Sequence, residues 1–171
     1  MSTASPRGFE LATELSHIDA RGHAVMVDVT NKQATRRRAE ARGRVAGVGD
    51  LSLLSDRGSA ILTIAKAAGL LGAKRCSALI PLCHPLPLTS LDVEFALSSD
   101  AVEIYAVAET LGQTGVEMEA LVGCTFAALS IVHELRSTAA SAVIEDVAVW
   151  EKSGGRSGHW LRQGRDDVDV I

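Results

Sequence analysis

In the run Leu79-Ile80-Pro81-Leu82-Cys83-His84-Pro85-Leu86, a histidine is held between a cysteine and a proline. Pro81, Pro85 and Pro87 remove amide donors and fix backbone angles, so this stretch forms a stiff, shaped loop rather than a helix or strand. His84 is therefore given a preset direction, and an imidazole that exchanges a proton near neutrality suits contact with a ligand. The plainer reading is a histidine satisfied by nearby backbone. Cys76, Cys83 and His84 have no standard metal-ligand spacing.

A second group begins at Gly112-Gln113-Thr114-Gly115-Val116-Glu117-Met118-Glu119, where Thr114 and Glu117 have the form of a capping box at the start of a helix. Glu119 is not needed for that cap. It falls opposite the apolar stripe of the helix, which leaves it to meet a ligand, another subunit or solvent. His133, fourteen residues further on, returns to within about 40° of Glu119 around the helix axis but lies roughly 20 Å along it. The two cannot touch one small reacting centre. A site that uses both must be extended, or must combine opposite ends of helices from neighbouring subunits, which symmetric oligomers provide.

The cations divide by position. In Arg36-Arg37-Arg38, strand alternation puts Arg36 and Arg38 on the face of Arg42 and Arg44, which is expected to be solvated. Arg37 shares its face with Ala39, Ala41 and Val45, so its permanent charge points toward apolar surroundings unless an anion meets it there. Lys74 and Arg75 close a helix, where they either offset its dipole or contact phosphate.

These residues need elements to hold them. Ala24 to Val29 alternates weakly and Arg36 to Val48 reads as a second strand expected to pair with it. Ile61, Ile64, Ala65, Ala68 and Leu71 mark a helix over about 60–73. Strands are expected over 90–96 and 102–110, a second helix over about 115–136 with Leu121, Cys124, Ala128, Ile131 and Leu135 on one stripe, and a last strand over 142–149. The order β-β-α-β-β-α-β lacks the regular alternation of a doubly wound fold and predicts an α+β sandwich with helices over one sheet face.

The chain of 171 residues suits one domain, with 1–14 as a flexible leader, 15–155 as the domain and 156–171 as a flexible tail. Its net charge of -4 disfavours a nucleic-acid partner, so phosphate binding has to be local. An odd set of three cysteines without a Cys-x-x-Cys pair fits reduced thiols and a cytoplasmic setting. No stretch reads as long and apolar enough to span a bilayer.

Taken in order, Leu15-Ser16-His17, Met26-Val27-Asp28-Val29, Ala73-Lys74-Arg75, Leu79 to Leu86, Thr114-Gly115-Val116-Glu117-Met118-Glu119-Ala120-Leu121 and Glu151-Lys152-Ser153-Gly154-Gly155-Arg156-Ser157-Gly158 resemble the cyclic pyranopterin monophosphate synthase (MoaC) family of molybdenum cofactor biosynthesis. The resemblance implies a ferredoxin-like subunit in a homohexamer, a trimer of dimers with interfacial sites. It implies a GTP-derived substrate, 3',8-cyclo-7,8-dihydro-GTP, converted to cyclic pyranopterin monophosphate with release of pyrophosphate, and no metal or organic cofactor. By motif position, Leu82, Cys83, His84, Met118 and Glu119 fall at substrate contacts, and Glu117, Lys74, Arg75 and Arg37 at other polar site positions.

Five positions depart from the family pattern. The usual Lys-Gly-Asp ahead of the first helix is replaced by Gly58, Ser59 and Ala60, with Arg57 adjacent. In the second helix the family's Asp and Lys become His133 and Arg136, which leaves these two, with His84, as the catalytic candidates. Histidine can replace a carboxylate in proton exchange and arginine can still bind phosphate, but guanidinium is a poor acid or base. The expected activity is therefore the lyase reaction. The contrasting expectation is an impaired paralogue that binds a purine nucleotide or assists assembly without turnover.

Overall fold

Small apolar and charged residues alternate along Thr35–Ala46 and make it the central strand, β1. Ala39, Ala41 and Val45 are fully buried on one face, while Arg38, Glu40, Arg42 and Arg44 occupy the other. The computed structural model describes residues 15–49, 58–156 and 158–163. After β1 come α1 (Gly58–Lys74), the short α2 (Cys76–Leu79), β2 (Leu88–Leu97), β3 (Ala101–Gly112), α3 (Glu117–Leu135), β4 (Val143–Ser153) and β5 (His159–Leu161). The sheet order is β2-β3-β1-β4-β5 and every pairing is antiparallel. The first four strands with α1 and α3 give the β-α-β-β-α-β arrangement of a ferredoxin-like α+β fold, as expected, and β5 extends one edge.

Both long helices cover one face of the sheet, α3 across β1, β3 and β4 and α1 beside α3 toward β2. The layer between them is thin because its residues are small. Ala39, Ala41, Ala106 and Ala108 from the sheet meet Ala120, Cys124, Ala127 and Ala128 from α3, all fully buried. Gly69 lets the helices touch, since a Cβ there would stand 2.7 Å from the Gly123 carbonyl oxygen. Gly69 against Gly123 and Ala127, and Ala73 against Gly123, make α1 and α3 antiparallel. The last turn of α1 therefore lies by the first turn of α3, and the first turn of α1 by the last of α3.

Several expectations are corrected. Residues 24–29 form no strand; the described segment carries only an isolated bridge between Ile18 and Ala24. Asp19 accepts amides of Arg21 and His23, and Asp28 that of Thr30, so turn chemistry outcompetes a weak alternation. Arg38, Arg42 and Arg44 are not simply solvated. Arg38 pairs with Glu40 and Glu151, and Arg42 pairs with Glu40 while stacking over Tyr105 and Trp150. Within the expected tail, His159–Leu161 pairs with Glu151–Ser153 as β5. The leader and most of the remaining tail lie outside the described residues. Finally, α3 is long and apolar enough to cross a bilayer by length and composition, contrary to expectation, but half of it is buried within this fold as a core helix.

Candidate active site

The register of the sheet creates a cleft where β1 begins and its two neighbours end. Thr35 pairs with Gly112 at the close of β3, and Arg38 pairs with Ser153 at the close of β4. The turn at 28–33, the β3–α3 turn and the Gly154-Gly155 turn after β4 complete the walls. The cleft encloses about 740 Å³ and brings Lys32, Arg37, Arg38, Lys152 and Arg156 together with only two carboxylates, Asp28 and Glu117. That charge balance suits a polyanion despite the acidic chain as a whole.

Arg37 behaves as its strand position predicts. Its Nη2 donates to the Gln113 carbonyl at 3.4 Å, while its buried Nε has no hydrogen-bond partner among the described residues. The guanidinium lies on the Gly154-Gly155 turn, where both glycines have positive φ (+101° and +68°) and a Cβ on Gly155 would overlap Arg37. A permanently charged group with an unmet donor, held at the wall of a cleft, is prepared for an anion.

The start of α3 differs from the expected capping box. Val116, not Thr114, is the N-cap, and no side chain caps the helix there. Glu117 instead folds back over Gly115 and its Oε1 accepts a hydrogen bond from Lys152 Nζ at 3.1 Å. Glu119, expected on the open face, is buried with 5% of its surface accessible. Its carboxylate turns inward to its own backbone amide and to Cys76, which explains the reversal: the unsatisfied first-turn amide attracts the acid. Burial pushes the Glu119 carboxyl above its ordinary range, and the charge of Glu117 adds to the shift.

Cys76 and Cys83 share a hydrogen bond next to Glu119, and burial raises both thiols above their usual range. This ties the proline-rich loop to α2 and to the first turn of α3. Leu82 in that loop is held at φ 66°, an uncommon conformation for a branched side chain, and one that directs the following Cys83-His84. His84 is half-buried in this loop, and Asp28, on the cleft wall, has its carboxyl held below its usual range chiefly by hydrogen bonds with Thr30. Thr110 anchors the far end of the loop through a 2.7 Å hydrogen bond to the Pro87 carbonyl.

Of the residues singled out in the sequence, Arg37 and Glu117 line the cleft, Cys83 and Glu119 share a linked cluster with Cys76, and His84 follows Cys83 in the same loop. Lys74 and Arg75 are exposed where α1 gives way to α2, one residue ahead of Cys76, and Met118 is exposed on the first turn of α3. His133 and Arg136 are not brought to this cleft by their own chain. Both are exposed at the other end of α3, where Arg136 donates to the His133 carbonyl. Sequence reasoning about site residues missed Lys32, Arg38, Lys152 and Arg156. The signal for two of these was the Gly-Gly pair flanked by Lys152 and Arg156.

A profile of the MoaC family matches residues 26–155, which include every wall of this cleft except Arg156. The chain belongs to the MoaC family. Among relatives in the MoaC family, the cyclic pyranopterin monophosphate synthase of Streptomyces griseus subsp. griseus is 45% identical over 97% of this chain and 97% of its own length. The synthases of Thermomicrobium roseum (44%, over 88% of this chain and 94% of its own) and Heliobacterium modesticaldum (44%, over 87% and 98%) are similar. The positions read from the sequence as departures from the family pattern share one location. Gly58 to Ala60 open α1 while His133 and Arg136 close α3, and the antiparallel packing of the helices gathers all of them at the end away from the cleft. Arg57 lies outside the described residues.

Proposed function

We propose that this protein acts in molybdenum cofactor biosynthesis as a cyclic pyranopterin monophosphate synthase. It converts 3',8-cyclo-7,8-dihydro-GTP to cyclic pyranopterin monophosphate and pyrophosphate in the cytoplasm. The observation that carries the reading is the cationic cleft of Lys32, Arg37, Lys152 and Arg156 within a chain 45% identical to a synthase across nearly its whole length. In this reading the cleft and Lys74 hold the triphosphate, whose charge must be stabilised as the cyclic phosphate forms and pyrophosphate leaves. The Leu82-Cys83-His84 segment and Met118-Glu119 contact the substrate. Glu119, whose carboxyl is raised toward neutrality by burial, and His84 are suited to the proton movements of purine-ring opening and pterin closure.

His133 and Arg136 complete the site from a neighbouring subunit of a homohexamer, because α3 spaces them roughly 25 Å from its own N-terminus. There His133 exchanges a proton and Arg136 contacts phosphate, in place of the family's Asp and Lys. The assay is incubation of the purified protein with freshly made cyclic intermediate. Cyclic pyranopterin monophosphate and pyrophosphate are expected in equal amounts, and His133→Ala is expected to lower turnover by about 10²-fold or more. Nucleotide binding without product would overturn the synthase reading in favour of a non-catalytic paralogue.

A further inference from the structure

Beside the cationic cleft lies a second, apolar slot of about 310 Å³, lined by Glu117, Val149, Lys152 and Trp160. Glu117 and Lys152 border both spaces, so the slot adjoins the cleft across their 3.1 Å ion pair. The sheet builds this arrangement. Lys152 pairs with Ala39 on one side and with Trp160 of β5 on the other, and Ala39 faces the helices, so Lys152 and Trp160 stand on the helix side next to the start of α3. Arg162 lies 5.7 Å from the Trp160 ring and helps fix the indole.

A polyanion site joined to an aromatic-walled apolar slot matches a ligand with a flat heterocycle at one end and phosphates at the other. We infer that Trp160 is a positioning residue that forms the wall of a ring subsite for the purine portion of a nucleoside triphosphate or its cyclised derivative. Resting on the proposed function, this adds to it a subsite on β5, an element outside the Leu82-Cys83-His84 and Met118-Glu119 segments. The cleft's cations hold the phosphates, and Trp160, Val149 and the methylenes of Lys152 cover the ring.

Trp150 and Trp160 are the only tryptophans in the chain. Trp150→Phe removes an indole whose Nε1 has no hydrogen-bond partner among the described residues, and leaves Trp160 as the sole reporter. The test titrates GTP and, separately, inorganic tripolyphosphate into this protein, read by tryptophan fluorescence and by calorimetry. GTP is expected to quench Trp160 and tripolyphosphate to bind with little quenching. Trp160→Leu is expected to weaken GTP roughly tenfold or more while leaving tripolyphosphate within about twofold, and Trp160→Phe to restore GTP to within about threefold of the parent. GTP bound equally well by the leucine variant would overturn the ring subsite and leave the phosphate reading standing. Equal weakening of both ligands would also overturn it, by reducing Trp160 to a structural role. Failure of the unaltered protein to bind GTP at all would remove the subsite and count against the synthase reading, which its own product assay decides.

Discussion

Arg37 and Glu119 both combine charge with burial, and they do so in opposite ways. Arg37 keeps a permanent charge at the cleft wall and is accommodated by Gly155, whose φ of +68° and absent side chain leave room for the guanidinium. Gly155→Ala introduces both strain and overlap, so we expect a loss of about 1–3 kcal/mol in stability, read as a lower Tm, together with weaker GTP binding. Glu119 responds to burial by holding its proton more tightly than it does in the unfolded chain. Its contribution to stability is therefore full below its ordinary pKa of 4.5 and is lost as pH rises through the raised folded value. Glu119→Gln cannot ionise, so its stability relative to the parent should increase as pH rises above 4.5 and through the raised folded value, measured by denaturant unfolding. A difference that stays flat as pH rises above 4.5 would contradict a raised carboxyl. Catalytic turnover should fall in the same variant.

The elements explain why some spacing was readable and some was not. Strand alternation puts Arg37 on the face of Ala39 and Ala41, apart from Arg36 and Arg38, and the stripe of Cys124, Ala128, Ile131 and Leu135 correctly gave the buried face of α3. The capping box was misread because a short motif states which hydrogen bonds are available, not which ones win. Lys152 arrives from β4 to take Glu117, and Glu119 turns in toward its own amide. Thr114→Ala should accordingly change stability by less than about 0.5 kcal/mol in chemical denaturation, against about 1 kcal/mol for a true N-cap. The weak alternation at 24–29 failed for a related reason: Asp19 and Asp28 offered the backbone local acceptors, and no neighbouring strand competed for its amides.

At the scale of the molecule, the polarity of α1 and α3 separates two sets of candidate site residues. The cleft and the Cys76-Cys83-Glu119 cluster sit at one end, whereas the altered positions Gly58 to Ala60, His133 and Arg136 sit at the other. A hexamer that joins unlike ends is expected to yield to complementation. Glu119→Gln and His133→Ala proteins, each nearly inactive alone, should recover activity when unfolded and refolded as an equal mixture, at about a quarter of parental sites, because one site in four draws both intact ends. Native mass spectrometry of the same mixture should show mixed hexamers. Mixed hexamers without recovered activity would place both residues in one chain's site, or His133 outside it.

The sequence alone determined what depends on local order and residue type: the α+β class, the main helices and strands, the stiffness of the His84 loop and the family to which the chain belongs. Periodicity and proline chemistry are local, so they are legible along the chain. Tertiary structure decided what depends on competition between distant groups. It set the partner of Glu117, the inward turn of Glu119, the strand built from His159–Leu161 and the meeting of Lys32, Arg37, Lys152 and Arg156 around one cleft. Each of these follows from strand register and helix packing, which in the cleft bring Lys32 and Arg37 to Lys152 and Arg156 from more than a hundred positions away, and spacing along the chain does not specify that geometry.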